Sequence, residues 1–222
     1  MPLPRLVLKK IYRRLFSHFG PQHWWPGRTR FEIIVGAILT QNTNWGNVKK
    51  AIANLRTAGR LNPNGVRTLA LSRLAQLIQP SGYYNVKAKR LKNFIRLLMT
   101  EYEGCLNRMA REPWPVLRQK LLQVNGIGPE TADSILLYAF HHPVFVIDAY
   151  TRRFMSRHRY ILGSEDYHTL QTMFMSNVKP DVGIYNEYHA LIVRLAKDFC
   201  RVRPLCHECP LRELLPHNFT LS

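Results

Sequence analysis

Two stretches of this chain carry residue types that could do chemistry. The first is Leu121-Leu122-Gln123-Val124-Asn125-Gly126-Ile127-Gly128-Pro129-Glu130-Thr131-Ala132, where two glycines stand between apolar helical segments. Glycines permit a tight left-handed turn and let backbone N–H groups approach an anion closely. Pro129 costs no hydrogen bond at the first position of the following helix, whose N-terminus adds partial positive charge. Gly126, Gly128 and Thr131 therefore suit phosphate contact. An ordinary corner between two helices uses the same residues, so the turn alone does not decide. Ile127 points inward and pins the helices together. Asp148 follows behind Val144-Phe145-Val146-Ile147, where it suits the N-cap of a helix over 149–158. The second stretch is Cys200-x5-Cys206-x2-Cys209, three thiols at metal-ligand spacing with His207 and His217 nearby.

The elements that must hold these residues read as helical. Phe31, Ile34, Val35 and Ile38 recur with helical period, as do Leu91, Phe94, Ile95 and Leu98, and later Tyr188, Leu191, Ile192 and Leu195. Ser72 is expected to cap a helix carrying Leu74, Leu77 and Ile78, which Pro80-Ser81-Gly82 stops. Only Val144–Ile147 reads as extended, too short to form a sheet. The expected fold class is all-α, in two helical lobes. Residues 30–140 would form a helical array ending in the glycine hairpin, and 1–29 with 141–222 a second lobe, leaving a ligand groove between them.

The composition limits the partners. Of 222 residues, 32 are Lys or Arg and 14 Asp or Glu, a formal net charge of +18 that attracts phosphate. A charged fraction of 21% beside a hydrophobic fraction of 46% is globular rather than that of a disordered basic tail. The aromatic fraction, 11%, supplies rings that can stack on exposed bases, although most will be ordinary core. No apolar run approaches bilayer length, and Met1-Pro2-Leu3-Pro4-Arg5 is not an apolar secretory leader. The cysteines do not form an extracellular disulfide pattern, and Cys105 stands apart as a packing residue. The expectation is a soluble, intracellular, cytoplasmic or nucleoid-associated monomer with a nucleic acid partner and no membrane partner.

Four ordered segments resemble the helix-hairpin-helix DNA glycosylase superfamily, in its endonuclease III-like branch. They are Leu39-Thr40-Gln41-Asn42-Thr43, Gly82-Tyr83-Tyr84-Asn85-Val86-Lys87-Ala88-Lys89, the hairpin Val124–Ala132, and Val146-Ile147-Asp148-Ala149-Tyr150-Thr151-Arg152. The resemblance implies an enzyme of base excision repair that flips a damaged base out of double-stranded DNA and cuts its glycosidic bond. It makes Asp148 the carboxylate that stabilises the oxocarbenium-like transition state and aligns water. Glu130 occupies the position where strand-nicking relatives carry a Schiff-base lysine, which implies a monofunctional glycosylase. Glu130 in this context, with Trp24-Trp25-Pro26, is similar to the endonuclease III-like 3-methyladenine glycosylases, whose aromatic pockets accept alkylated purines. Trp24, Trp25 and Pro26 are thus the expected base pocket, with Trp45 as core or groove wall.

Gln41 and Tyr83 are the implied wedges filling the hole left by the flipped base. Lys87, Lys89, Arg90, Arg152 and Arg153 are candidates for flanking phosphates. The cysteine tail approximates the branch's [4Fe–4S] motif, but the first gap is one residue short and the fourth position is Leu215. A cluster, a zinc site completed by histidine, and no metal all remain open. Two other functions stay open: a bifunctional glycosylase and abasic-site lyase for oxidised pyrimidines, and a non-catalytic DNA-binding protein.

Overall fold

The computed structural model describes residues 5–215, and within them the chain forms helices without a β-strand. Two compact units emerge, one spanning Trp25–His142 and the other joining the chain up to Trp24 with the chain from Pro143 onward.

The Trp25–His142 unit contains α2 (Arg30–Leu39), α3 (Trp45–Thr57), α4 (Pro63–Thr68), α5 (Leu71–Leu77), α6 (Tyr84–Tyr102), α7 (Leu106–Met109), α8 (Trp114–Gln123) and α9 (Pro129–Ser134). A π-helical turn, Ile135–Ala139, continues α9. The helices begin where their sequences supply caps. Thr29, Asn44 and Asn62 each accept a hydrogen bond from a backbone N–H of the first turn, at 3.1, 3.0 and 2.7 Å. Their apolar faces then form the core: Phe31, Ile34, Val35 and Ile38 of α2 and Leu91, Phe94, Ile95 and Leu98 of α6 are all buried. The helix assigned to Ser72 starts earlier, after Ala70, and has no side-chain cap. Burial of Leu74 and Ala75 and packing against α6 fix it instead.

The other unit contains α1 (Arg5–Phe19), α10 (Ala149–Arg157), α11 (Tyr167–Asn177) and α12 (Val182–Asp198). α12 packs on both α1 and α10, and the Tyr188 hydroxyl donates to the Leu8 carbonyl at 2.9 Å. Val144–Ile147 runs through this core as extended chain without strand pairing. With no neighbouring strand to serve them, its polar groups take side-chain partners. The Gln171 amide donates to the Phe145 carbonyl at 2.8 Å, and the Phe145 ring stacks on Phe174 at 4.2 Å.

Lys87 is not the phosphate contact expected of it. It is 1% exposed, and its ammonium donates to the carbonyls of Leu39 at 2.9 Å and Ser81 at 2.6 Å. The end of α2 is thereby tied to the turn that precedes α6. Burial, with Arg90 nearby, pushes the Lys87 ammonium down to about 8.

The unfolded chain holds this proton more tightly than the folded one, so Lys87's contribution to stability rises with pH between about 8 and the ordinary lysine value of 10.5. Urea titrations of wild type and K87M across that range should give a steeper rise for wild type. K87M strands two carbonyls and should lose about 2–4 kcal/mol at neutral pH. A loss under about 0.5 kcal/mol, as for a surface lysine, would contradict the tie.

Candidate active site and nucleic-acid interface

The hairpin joins α8 to α9. Gly126 adopts φ +95°, and a Cβ there would fall 2.3 Å from Arg90 Cγ, so both backbone angle and space require glycine. Gly128 does not share the left-handed conformation expected of both glycines; at φ −91° it is extended and caps α9. A Cβ on Gly128 would meet nothing within 4 Å, so its lack of a side chain keeps the outer face of the turn open. Ile127 is buried. Behind the turn, buried Arg118 of α8 grips buried Asp133 of α9 with two parallel bonds of 2.7 and 3.0 Å.

Gln41 is tied to this hairpin. Its Nε2 donates to the Gly126 carbonyl at 3.0 Å and to Thr131 Oγ1 at 2.9 Å, and its Oε1 accepts from Arg90. Gln41 is therefore a brace rather than a free side chain, and Arg90 belongs to the same brace. Thr131, which is buried, accepts there through its hydroxyl oxygen. Tyr83 differs: its side chain stands out at 71% exposure, and its backbone is left-handed at φ 45°, costly for a bulky residue. Gly82 before it and the Lys87 tie below it hold that turn. Lys89 and Glu130 are exposed.

The Trp25 ring meets Trp45 edge-on at 5.1 Å and leans on Tyr138 at 5.0 Å. Gly36 makes this contact possible, since a Cβ there would sit 3.3 Å from the Trp25 indole. Pro26 and Trp45 line an open cleft of about 290 Å³, with Arg28, Lys49 and Arg56 around it. Trp24 belongs to the other unit, where Lys197 Nζ lies 5.8 Å from its ring centre. Tyr138 was not singled out in sequence because it falls inside an apolar run, where a buried tyrosine gives no separate signal.

Asp148 caps α10. Oδ1 accepts from the Thr151 backbone N–H at 2.7 Å and from Thr151 Oγ1 at 2.8 Å, while Oδ2 lies 3.4 Å from His189 Nε2. Burial alone would raise its pKa, but the neighbouring His189 and the bonds from Thr151 outweigh that and hold the carboxyl below its ordinary value. The result is a buried, oriented anion. Arg152 and Arg153, expected at phosphates, are engaged within the same unit. Arg152 donates to the Glu165 carbonyl at 2.7 Å, and Arg153 to those of Cys200 at 2.7 Å and Ala196 at 3.0 Å.

Cys200, Cys206, Cys209 and Leu215 line one shared space of about 10 Å³, room for no more than a single water. Burial, the largest influence, drives the Cys209 thiol up to about 11 and raises that of Cys206. Arg157 fills the neighbourhood, with Nη1 3.3 Å from Cys200 Sγ. His207 pairs with Glu208 at 2.9 Å on the surface. Among the described residues no three metal-ligating side chains are arranged to hold an ion. His217 lies outside the described residues. This space, with leucine at the fourth position, does not fit a [4Fe–4S] core.

Comparison with known proteins agrees with this architecture. Residues 35–180 match the family model described as HhH-GPD superfamily base excision DNA repair protein. The Methanocaldococcus jannaschii protein MJ1434, provisionally named a DNA repair glycosylase, is 46% identical over 93% of this chain and 94% of its own. Endonuclease III of Sulfolobus acidocaldarius is 28% identical over 84% of this chain and 82% of its own. The chain superposes on the H. pylori 3-methyladenine DNA glycosylase MagIII, bound to 1,N6-ethenoadenine, with TM-score 0.75 and 30% identity over 88% of this chain and 98% of that one. An endonuclease III–DNA complex gives TM-score 0.81 at 20% identity, covering 96% of this chain and 95% of that one, a likeness of fold. The chain belongs to the HhH-GPD superfamily of base excision DNA repair proteins, among its endonuclease III-like members. No helix among the described residues is long and apolar enough to cross a membrane.

Because asparagine caps helices nearly as well as aspartate, D148N should fold with a stability loss below about 1 kcal/mol, whereas D148A should lose about 1–2 kcal/mol. The charge contribution of Asp148 is present above the ordinary aspartate value of 3.8 and fades as pH falls through the lower folded value. Thermal melts of both variants at neutral and acid pH check this, and equal losses for the two at neutral pH would contradict the capping role.

Proposed function

We propose that this protein is a monofunctional DNA glycosylase that flips an alkylated purine of the 3-methyladenine type out of duplex DNA and releases it by hydrolysis, leaving an abasic site. The observation that carries the reading is Asp148, a buried carboxylate kept ionised and fixed through Oδ1 by two bonds from Thr151. As the glycosidic bond breaks, positive charge develops on the sugar, and a fixed anion stabilises it without reorganising. The same carboxylate aligns the attacking water or takes its proton.

Glu130 supports hydrolysis rather than lyase chemistry. A carboxylate at this position cannot form the Schiff base that a lysine forms with the opened sugar. Trp25, Pro26 and Trp45 supply an aromatic surface that suits an alkylated purine. Its positive ring gains roughly 0.5–2 kcal/mol of cation–π attraction on an indole, and its glycosidic bond is weak enough to need little acid catalysis. The 30% identity to a 3-methyladenine glycosylase supports the same substrate class. Tyr83, exposed on its left-handed turn, is the proposed wedge, with Gln41 bracing the hairpin. The outer face of Gly126–Gly128, with exposed Lys89, would meet the DNA backbone. Catalysis on this reading needs no cofactor, and the enzyme works as a monomer.

Chromatography of bases released from methylated duplex DNA tests the reading. Wild type should release 3-methyladenine. D148N should release it at least about 10³-fold more slowly while binding DNA as well or better. Release of oxidised pyrimidines instead, with an adduct trapped by borohydride, would replace it with the lyase alternative. DNA binding without release of any base would favour the non-catalytic one.

A further inference from the structure

His189 lies on the buried face of α12, in a stripe with Tyr185, Tyr188, Ile192 and Leu195, and is 5% exposed. An imidazole in such surroundings is costly unless its polar atoms are used. Its Nε2 lies 3.4 Å from Asp148 Oδ2, within ion-pair reach, across the packed pair α10 and α12. The other carboxylate oxygen, Oδ1, accepts two bonds from Thr151, at 2.7 and 2.8 Å. Bonds to one oxygen leave rotation of the carboxylate about Cβ–Cγ soft, because that torsion has broad wells. A donor at the second oxygen removes this freedom.

We propose that His189 is a positioning residue: Nε2–H directed at Oδ2 sets the plane of the Asp148 carboxylate, and with it the direction in which Asp148 faces the sugar and the attacking water. The proposal rests on the reading of Asp148 as the catalytic carboxylate. His189 touches no reacting atom and acts through Asp148.

The two ring nitrogens give a discriminating test. The amide nitrogen of glutamine reaches approximately where Nε2 sits, whereas that of asparagine reaches only as far as Nδ1. Single-turnover release of 3-methyladenine from methylated duplex is measured for H189Q, H189N and H189L, beside binding to duplex carrying an uncleavable abasic-site analogue. H189L and H189N should slow release about 10²-fold, as expected for a misaligned catalytic group, with binding unchanged within about twofold. H189Q should recover to within about tenfold of wild type.

A structural role would not separate two polar amides by reach. Equal rates for H189N and H189Q, or losses that follow melting temperature rather than side-chain reach, overturn the proposal. If H189L fails to fold, the H189N and H189Q pair carries the test. D148N distinguishes the two levels. Wild-type release by D148N removes the catalytic reading of Asp148 and this inference with it. An inactive D148N beside fully active His189 variants removes this inference alone.

Discussion

The buried ammonium of Lys87 is the interaction on which the Trp25–His142 unit most depends. It joins the carbonyl at the end of α2 to the carbonyl at the turn before α6, two loops that share no backbone ladder. Gln41 stands two residues beyond the first carbonyl and Tyr83 two residues beyond the second. Gln41 in turn grips the hairpin through Gly126 and Thr131, and Arg90 of α6 closes the bracing. Three loops distant in sequence are thus fixed against one another by charge-assisted and amide hydrogen bonds. Such a frame allows Tyr83 to stay in a strained left-handed turn with its ring exposed, a state that a loose loop would relax.

In the other unit, a single residue combines a structural and a chemical demand. A helix N-terminus must satisfy its first N–H groups, and an aspartate that does so gains partners that favour its ionised form. Together with the neighbouring His189, the bonds that begin α10 therefore also keep the Asp148 carboxylate charged although it is buried. The charged state the proposed chemistry requires is a by-product of folding.

Much of this could be read from local pattern. The helical stripes of α2 and α6 are buried at the residues their spacing names, and Pro129 and Asp148 begin helices as their types dictate. What was not readable depends on partners far along the chain. Lys87, among basic neighbours on a helix, resembles surface until the carbonyls of Leu39 and Ser81 close around it. Arg118 and Asp133 find each other only once the hairpin folds, and Arg152 and Arg153 turn to carbonyls that no sequence window contains. His189 interrupts an apolar stripe, which identifies a buried histidine but not its partner. The cysteine spacing named three thiols correctly as neighbours, yet spacing carries no information on the volume between them, and that volume is the size of one water.

The central claim is that an Asp148-dependent glycosylase with Glu130 in the lyase position hydrolyses the glycosidic bond and stops there. The most direct measurement uses an end-labelled duplex methylated on its purines, incubated with wild type or D148N and resolved for strand breaks before and after hot alkali. Breaks are expected only after alkali, at purines, in excess of the no-enzyme background with wild type and at that background with D148N. Wild-type breaks without alkali would contradict hydrolysis as the end point, and equal breaks with D148N would contradict the role of Asp148.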